Sequence, residues 1–184
     1  MAAQPATALP VHRLDLDTYN RMVACGALDG QPVELLEGLI AEMSPQSPTH
    51  ATVIRRLAWH FAHTLLQVQL PIEVPPDSEP EPDLAVIAQE PPAGQHPGTA
   101  LLVVEVAVSS HVIDRNVKAQ LYARASIPVY WIIDVPGRTV EVRTQPGPDG
   151  YGHCESYREG SFVPSPLEGV EDLDIAALLA DVKG

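Results

Sequence analysis

The sequence predicts an α/β domain in which one central mixed β-sheet is flanked by helices on both faces. Two apolar runs rich in branched residues, 101–108 and 129–135, are typical of strands that are buried on both faces. Two other segments, 49–67 and 113–125, place apolar residues at three- and four-residue steps, which indicates amphipathic helices. Strands that alternate with helices in this way favour a layered α/β architecture.

The remaining elements are shorter and are separated by turns rich in glycine and proline. In chain order we expect a helix over 15–25, strands 33–36 and 39–43, helix 49–67, strands 72–74, 83–88 and 101–108, helix 113–125, strands 129–135 and 140–143, short edge strands within 151–163, and a helix over 173–179. The length of 184 residues predicts a single domain over 13–184, preceded by a disordered or loosely docked tail over 1–12.

The composition argues against several classes of protein. A net charge of −13 argues against broad attraction to nucleic acid, although a local basic strip such as Arg55-Arg56 can act against an acidic background. Cys25 and Cys154 form no CxxC motif, so the sequence indicates neither a zinc site nor a disulfide framework. No apolar stretch approaches the ~18 residues of a membrane span. We therefore expect a soluble, cytoplasmic protein without a membrane partner.

Two carboxylates accompany the predicted buried strands. Glu105 lies within the run 101–108, and Asp83 begins the run 83–88. A buried, unpaired carboxylate is costly, so it requires a cation from the protein, a shared proton or a divalent metal ion. A structural ion pair with Lys118, Arg115 or a histidine is therefore one interpretation. The other is a Mg²⁺ or Mn²⁺ site shared by Asp83 and Glu105, since these hard ions prefer oxygen ligands.

Lys118 adds a third functional group to this pair. Asp114, Lys118 and Tyr122 share one face of the predicted helix, and the stem of Lys118 can reach the end of the Glu105 strand. A lysine there would orient the attacking water or stabilise charge on a phosphoryl oxygen. The alternative is a solvated surface lysine that pairs with Asp114.

Histidines and glutamates supply further candidates. His50 begins an amphipathic helix, where it would contact a substrate phosphate or a carboxylate of the site, or else a neighbouring carbonyl. His60 and His63 have the i, i+3 spacing of a metal pair but lack a third ligand nearby. One glutamate of the predicted hairpin would complete the acidic site, the candidates being Glu34, Glu37 and Glu42. No glycine-rich phosphate loop, GxSxG, HExxH or EF-hand motif is present.

Six sequence blocks in a fixed order resemble the Uma2 family, which belongs to the PD-(D/E)XK superfamily of restriction-endonuclease-like proteins. The blocks read VELLEG at 33–38, MSPQSPTH at 43–50, EPDLAV at 81–86, VVEV at 103–106, DRNVK with LYA at 114–123, and IPVYWIID at 127–134. The resemblance implies a restriction-endonuclease-like core in which Asp83 and Glu105 bind Mg²⁺ or Mn²⁺. It also implies that Lys118 takes the lysine role and that Glu34 and His50 support the site.

The chain departs from the superfamily pattern at two places. The usual lysine position, two residues after the acid, is Ala107, so the resemblance implies that Lys118 on the following helix replaces it. The segment 107–111 reads AVSSH where relatives carry a Ser-Pro-Ser type of turn, which would alter how that helix begins.

The expected function is a Mg²⁺-dependent endonuclease that hydrolyses phosphodiester bonds in DNA, with Asp83, Glu105, Lys118, His50 and Glu34 as its site residues. The alternative is a non-catalytic binding or assembly module of the same fold, in which Glu105 and Lys118 form a structural pair. A homodimer would give a duplex substrate two catalytic centres, but no residue indicates one.

Overall fold

The computed structural model describes residues 10–108 and 111–182. Its strands are β1 (Val33–Leu36), β2 (Leu39–Glu42), β3 (Leu66–Val68), β4 (Leu84–Val86), β5 (Leu102–Ala107), β6 (Val129–Asp134), β7 (Thr139–Gly147), β8 (Gly150–Arg158), β9 (Phe162–Val163) and β10 (Leu173–Asp174). Its helices are α1 (Leu16–Ala24), α2 (Pro48–His60), α3 (His111–Ile113), α4 (Ala119–Arg124) and α5 (Ile175–Leu178), with a π-helical segment, Asp114–Lys118, between α3 and α4.

A six-stranded sheet in the order β3-β4-β5-β6-β7-β8 forms the centre of the fold. Strands β5 and β6 run parallel, whereas the other neighbouring pairs are antiparallel. A parallel pair requires a crossover connection, and the helical stretch 111–124 belongs to it. All six residues of β5 are buried, which agrees with its predicted place as a central strand.

Helices cover both faces of the sheet, and alternate residues of β6 point into the two layers. Trp131 belongs to the apolar cluster that includes Leu57 of α2 and Leu178 of α5. Tyr130 belongs to the opposite cluster, which includes Tyr122 of α4. Because successive side chains of a strand point to opposite faces, the continuous apolar run of β6 serves both layers. The predicted mixed sheet with helices on both faces is confirmed.

Two predicted elements near the first edge of the sheet were wrong. Helix α2 ends at His60 instead of near residue 67, because Leu66–Val68 pairs with β4 as an edge strand. The predicted strand 72–74 forms only an isolated bridge between Val74 and Ser78. Prolines at 71, 75 and 76 lack the N–H donors that a regular ladder requires.

The C-terminal half also differs in detail from the prediction. Strand β8 is nine residues long and pairs along β7, where only short edge strands were expected. The last helix is confined to Ile175–Leu178, and the two residues before it form β10. Residues 1–9 of the predicted tail 1–12 lie outside the described part of the chain, and residues 10–12 form neither helix nor strand. Among the described residues, no helix has the length and apolar character needed to cross a membrane.

The β1–β2 hairpin is fastened to the segment that leads into β4. Glu37 and Gly38 form its turn with φ angles of 49° and 76°. A side chain at Gly38 would meet the Cβ of Arg13 at 2.6 Å, so glycine is required there by space as well as by conformation. Leu35, two residues before this turn, forms a β-bridge with Glu79, which holds β1 against the segment that leads into β4.

Candidate functional site

An acidic cleft of about 270 Å³ opens where the hairpin, the start of α2 and the ends of β4 and β5 meet. All five residues expected to form the site line this cleft: Glu34, His50, Asp83, Glu105 and Lys118. Three further acidic residues, Glu42, Glu81 and Asp114, line it as well. The fold thus brings together side chains that are spread over 85 positions of the sequence.

Asp83 is fixed at the start of β4, beside Glu105. The antiparallel register pairs Leu84 with Val104, so Asp83 lies next to Glu105 across the two strands. Its Oδ2 atom accepts a hydrogen bond from the backbone N–H of Val106 at 2.8 Å and lies 3.0 Å from Nε2 of His50. These two contacts restrict the carboxylate to one orientation at the cleft.

Glu105 is buried on β5 and receives two hydrogen bonds at the same oxygen. Lys118 donates to Oε1 at 3.0 Å, and the hydroxyl of Tyr122 donates to Oε1 at 2.7 Å. Both donors come from the predicted helix face, where they lie one turn apart. The i, i+4 spacing predicted this shared face, but it did not predict that Tyr122 would hold Glu105.

Glu34 provides a second carboxylate for Lys118. Its Oε2 lies 3.2 Å from Nζ of Lys118 and also accepts the backbone N–H of Glu81 at 2.9 Å. The hairpin therefore contributes Glu34 to the site, whereas Glu37 lies in its turn and Glu42 only lines the cleft. Glu81 is a lining residue that was not singled out from the sequence, although it lies two positions before Asp83 in the block EPDLAV.

Lys118 is buried and ends the π-helical segment between α3 and α4. Helices with π turns often carry functional residues, because the extra residue per turn changes where side chains point. The hypothesis of a solvated surface lysine is wrong, since the side chain of Lys118 is only 8% exposed. Asp114 is buried too, so neither residue of that hypothetical pair lies at the surface.

The cleft contains more carboxylates than cations, and burial together with this imbalance shifts the pKa values of its residues. Burial raises the pKa of Glu105 well above its ordinary value; the charge of Lys118 opposes this shift and the charge of Asp83 adds to it. Burial alone would lower the pKa of Lys118, but the carboxylates of Glu105 and Glu34 raise it. Burial and the charge of Glu34 also raise the pKa of Glu81. An additional cation would relieve this excess of negative charge.

Other candidates lie outside the cleft. His60 is the last residue of α2, and His63 follows it in an exposed turn. Arg115 pairs with Glu141 at 2.6 Å and with Asp134 at 3.0 Å, so it does not neutralise Glu105. Cys25 is an exposed free cysteine just after α1. Two residues of the unusual AVSSH segment, 109 and 110, lie outside the described part of the chain.

The donor set of the cleft suits a hard divalent cation. Within residues 10–108 and 111–182, no group of three or more His, Cys, Asp or Glu side chains is arranged to hold a metal ion. Asp83 and Glu105 nevertheless supply two carboxylates to the same cleft. Mg²⁺ is usually bound through one or two carboxylates and keeps several waters. A pair of acidic residues therefore fits Mg²⁺ or Mn²⁺ without a third protein ligand.

Comparison with known proteins gives a family and a related fold. Residues 16–177 match the family model Uma2, which is described as "Putative restriction endonuclease". The match supports a nuclease function. A crystal structure from Anabaena variabilis ATCC 29413, described as a "putative nuclease belonging to DUF820", superposes with a TM-score of 0.63. It is 16% identical and the alignment covers 80% of this chain and 89% of that one, which shows a shared fold. No curated protein matches the chain.

Proposed function

Because the chain belongs to the Uma2 family, we propose that it is a divalent-metal-dependent endonuclease that hydrolyses phosphodiester bonds in DNA. The observation that carries the proposal is the convergence of Asp83, Glu105 and Lys118 on one acidic cleft. The family match supports the nuclease part of this proposal. The metal ion and the DNA substrate follow from the chemistry of the cleft residues and from the family resemblance.

Asp83 and Glu105 would hold the metal ion, with Mg²⁺ or Mn²⁺ as the expected species. Once bound there, such an ion would supply a Lewis acid for the phosphate and lower the pKa of a water molecule. His50 and the N–H of Val106 keep the carboxylate of Asp83 in place through Oδ2. Lys118 and Tyr122 do the same for Glu105 through Oε1.

Lys118 would stabilise negative charge as it develops on the phosphate. An ammonium group held in a buried site needs little reorganisation during the reaction, and its attraction to an anion is stronger there than in water. Glu34 retains Lys118 at the cleft at 3.2 Å, so the lysine is placed before substrate arrives. Its elevated pKa keeps it positively charged at neutral pH.

A non-catalytic binding or assembly module is the second candidate function. It is favoured by the buried contact of 3.0 Å between Lys118 and Glu105, which neutralises the carboxylate without a metal ion. The net charge of −13 also favours it. In such a protein, the cleft residues would maintain the fold and would have no affinity for divalent ions.

Calorimetric titration of Mn²⁺ into the metal-free protein tests the proposal. We expect one site in the wild type, and we expect Asp83→Ala and Glu105→Ala to abolish it while circular dichroism shows a folded protein. Asp149→Ala, which removes an exposed acidic residue in the β7–β8 turn, is the matched control and should leave Mn²⁺ binding unchanged. A folded wild type without Mn²⁺ affinity would favour the non-catalytic module.

A further inference from the structure

Trp59 on α2 is an exposed aromatic residue without an evident structural role. It is 82% exposed, which is the highest value among the large hydrophobic residues of the described chain. The second tryptophan, Trp131, is fully buried in the core. An indole ring left in water forgoes the burial that normally stabilises a fold, and the flat apolar faces of Trp59 are available to a partner.

Arg55 lies one helical turn before Trp59 and shares its face. It is exposed, and its guanidinium donates to Oγ1 of Thr52 at 3.0 Å. Among the described residues, no carboxylate forms an ion pair with Arg55. The neighbouring Arg56 differs, because its guanidinium donates to the carbonyls of Leu178 and Ala180 and thus fastens α5. Arg55 therefore has a charge that the fold leaves available.

The segment that carries this face contains no acidic residue. From residue 43 to residue 72 the sequence has neither Asp nor Glu, although the chain as a whole has 24 acidic residues and a net charge of −13. The same segment contributes Ser44, His50 and Gln69 to the lining of the cleft. One side of an otherwise acidic site is thus suited to a polyanion.

We propose that the outer face of α2, formed by Arg55 and Trp59, binds an unpaired nucleic-acid strand whose scissile phosphate lies in the cleft. This inference rests on the proposed nuclease function and specifies the form of its substrate. Arg55 would contact a backbone phosphate, and the indole of Trp59 would stack on a base. An unpaired base leaves its ring face available to the indole, whereas the bases of a duplex are already stacked on one another.

The geometry of α2 gives the path of the strand. Trp59 lies nine positions after His50, about 13 Å along the helix axis. Nine residues correspond to two and a half turns of the helix, so Trp59 lies on the side of α2 opposite to His50, which faces the cleft. The strand would pass over the first turn of α2, which carries no acidic residue and has the positive end of the helix dipole. Arg55 lies between that turn and Trp59.

Binding of a fluorescein-labelled oligothymidylate in metal-free buffer, followed by anisotropy, tests this inference. We expect Trp59→Ala to weaken binding at least about fivefold, the lower limit for loss of base stacking. Arg55→Gln should weaken binding and reduce the slope of log K against log salt by about 0.7, the value for one phosphate contact on a single strand. Phe162→Ala and Arg158→Gln are the matched controls, because they alter exposed residues that lie outside α2. They should leave the binding affinity and the salt slope unchanged. A duplex of the same length should bind more weakly and should not depend on Trp59.

Hydrolysis of bis(p-nitrophenyl) phosphate with Mn²⁺ separates this inference from the nuclease function. That diester has no flanking nucleotides, so Trp59→Ala should cleave it like the wild type, while Asp83→Ala should not. Oligothymidylate binding that is the same in Trp59→Ala, Arg55→Gln and wild type would overturn the inference and leave the nuclease function intact. Absence of diester hydrolysis together with Trp59-dependent binding would overturn only the nuclease function. The inference would also be overturned if sedimentation showed that Trp59→Ala dissociates a dimer while oligothymidylate binding stays the same.

Discussion

The Nζ atom of Lys118 lies 3.0 Å from Oε1 of Glu105, and both side chains are buried. Glu34 approaches the same ammonium group at 3.2 Å, so one buried cation contacts two carboxylates. In a nuclease this arrangement keeps a charged lysine beside the reacting phosphate. In a non-catalytic module the same arrangement would contribute only to stability. Metal affinity distinguishes these roles, and stability tests the buried pair that both roles share.

Lys118→Met should lower the free energy of unfolding by about 3–5 kcal/mol, because it leaves Glu105 buried without its cation. Urea denaturation at neutral pH measures this loss. The double variant Lys118→Met with Glu105→Met should recover part of it, since the buried charge of Glu105 is then removed, whereas Glu34 still lacks its cation. A loss below about 1 kcal/mol in the single variant would contradict the buried ion pair, since that is the range of exposed pairs.

Tyr122→Phe should weaken Mn²⁺ binding about tenfold or more, because groups that orient a metal ligand typically contribute 10–100-fold in affinity. The substitution removes the 2.7 Å hydrogen bond to Oε1 of Glu105 and leaves the buried ring in place. Tyr151→Phe is the matched control, since its hydroxyl donates to the carbonyl of Ile127, away from the cleft. Equal Mn²⁺ affinities for the two variants in calorimetry would show that Tyr122 does not position the ligand.

Glu79→Gln should change how stability depends on pH. Burial, followed by the charge of Glu73, raises the pKa of Glu79 from its ordinary value of 4.5 to about 7. The folded protein therefore binds this proton more tightly than the unfolded chain does. The contribution of this bound proton to the free energy of unfolding is fully present below about pH 4.5 and is lost as the pH rises to about 7. Glutamine stays uncharged and should avoid this loss.

The free energy of unfolding of Glu79→Gln should rise relative to that of the wild type between pH 4.5 and 7. By pH 7 the variant should be the more stable protein by about 3 kcal/mol. Chemical denaturation at several pH values gives this difference. The hydrogen bond from Asn20 to Glu79 can persist in the variant, because the amide retains a carbonyl oxygen. Parallel curves for the two proteins would show that Glu79 does not titrate in this range.

Patterns within short stretches were sufficient to predict most of the architecture. The branched apolar runs of β5 and β6 and the i, i+4 spacing of Lys118 and Tyr122 depend on local geometry, which a sequence records directly. The boundaries near residue 67 were wrong because Leu66–Val68 suits a helix and a strand equally, and only its pairing with β4 decides between them. The segment 72–74, by contrast, is flanked by prolines at 71, 75 and 76, a local signal against a regular ladder that the prediction of a strand overlooked.

The sequence by itself determined the fold class, the family and the identity of the carboxylates, lysine and histidine that line the cleft. Only the tertiary structure decided which of them touch. The contacts of Lys118 with Glu34 and of His50 with Asp83 join residues that are 84 and 33 positions apart. Such contacts depend on how the hairpin and α2 pack against the sheet, and no local pattern specifies packing between distant elements. The burial that shifts the pKa values of Glu105 and Glu79 arises from the same packing.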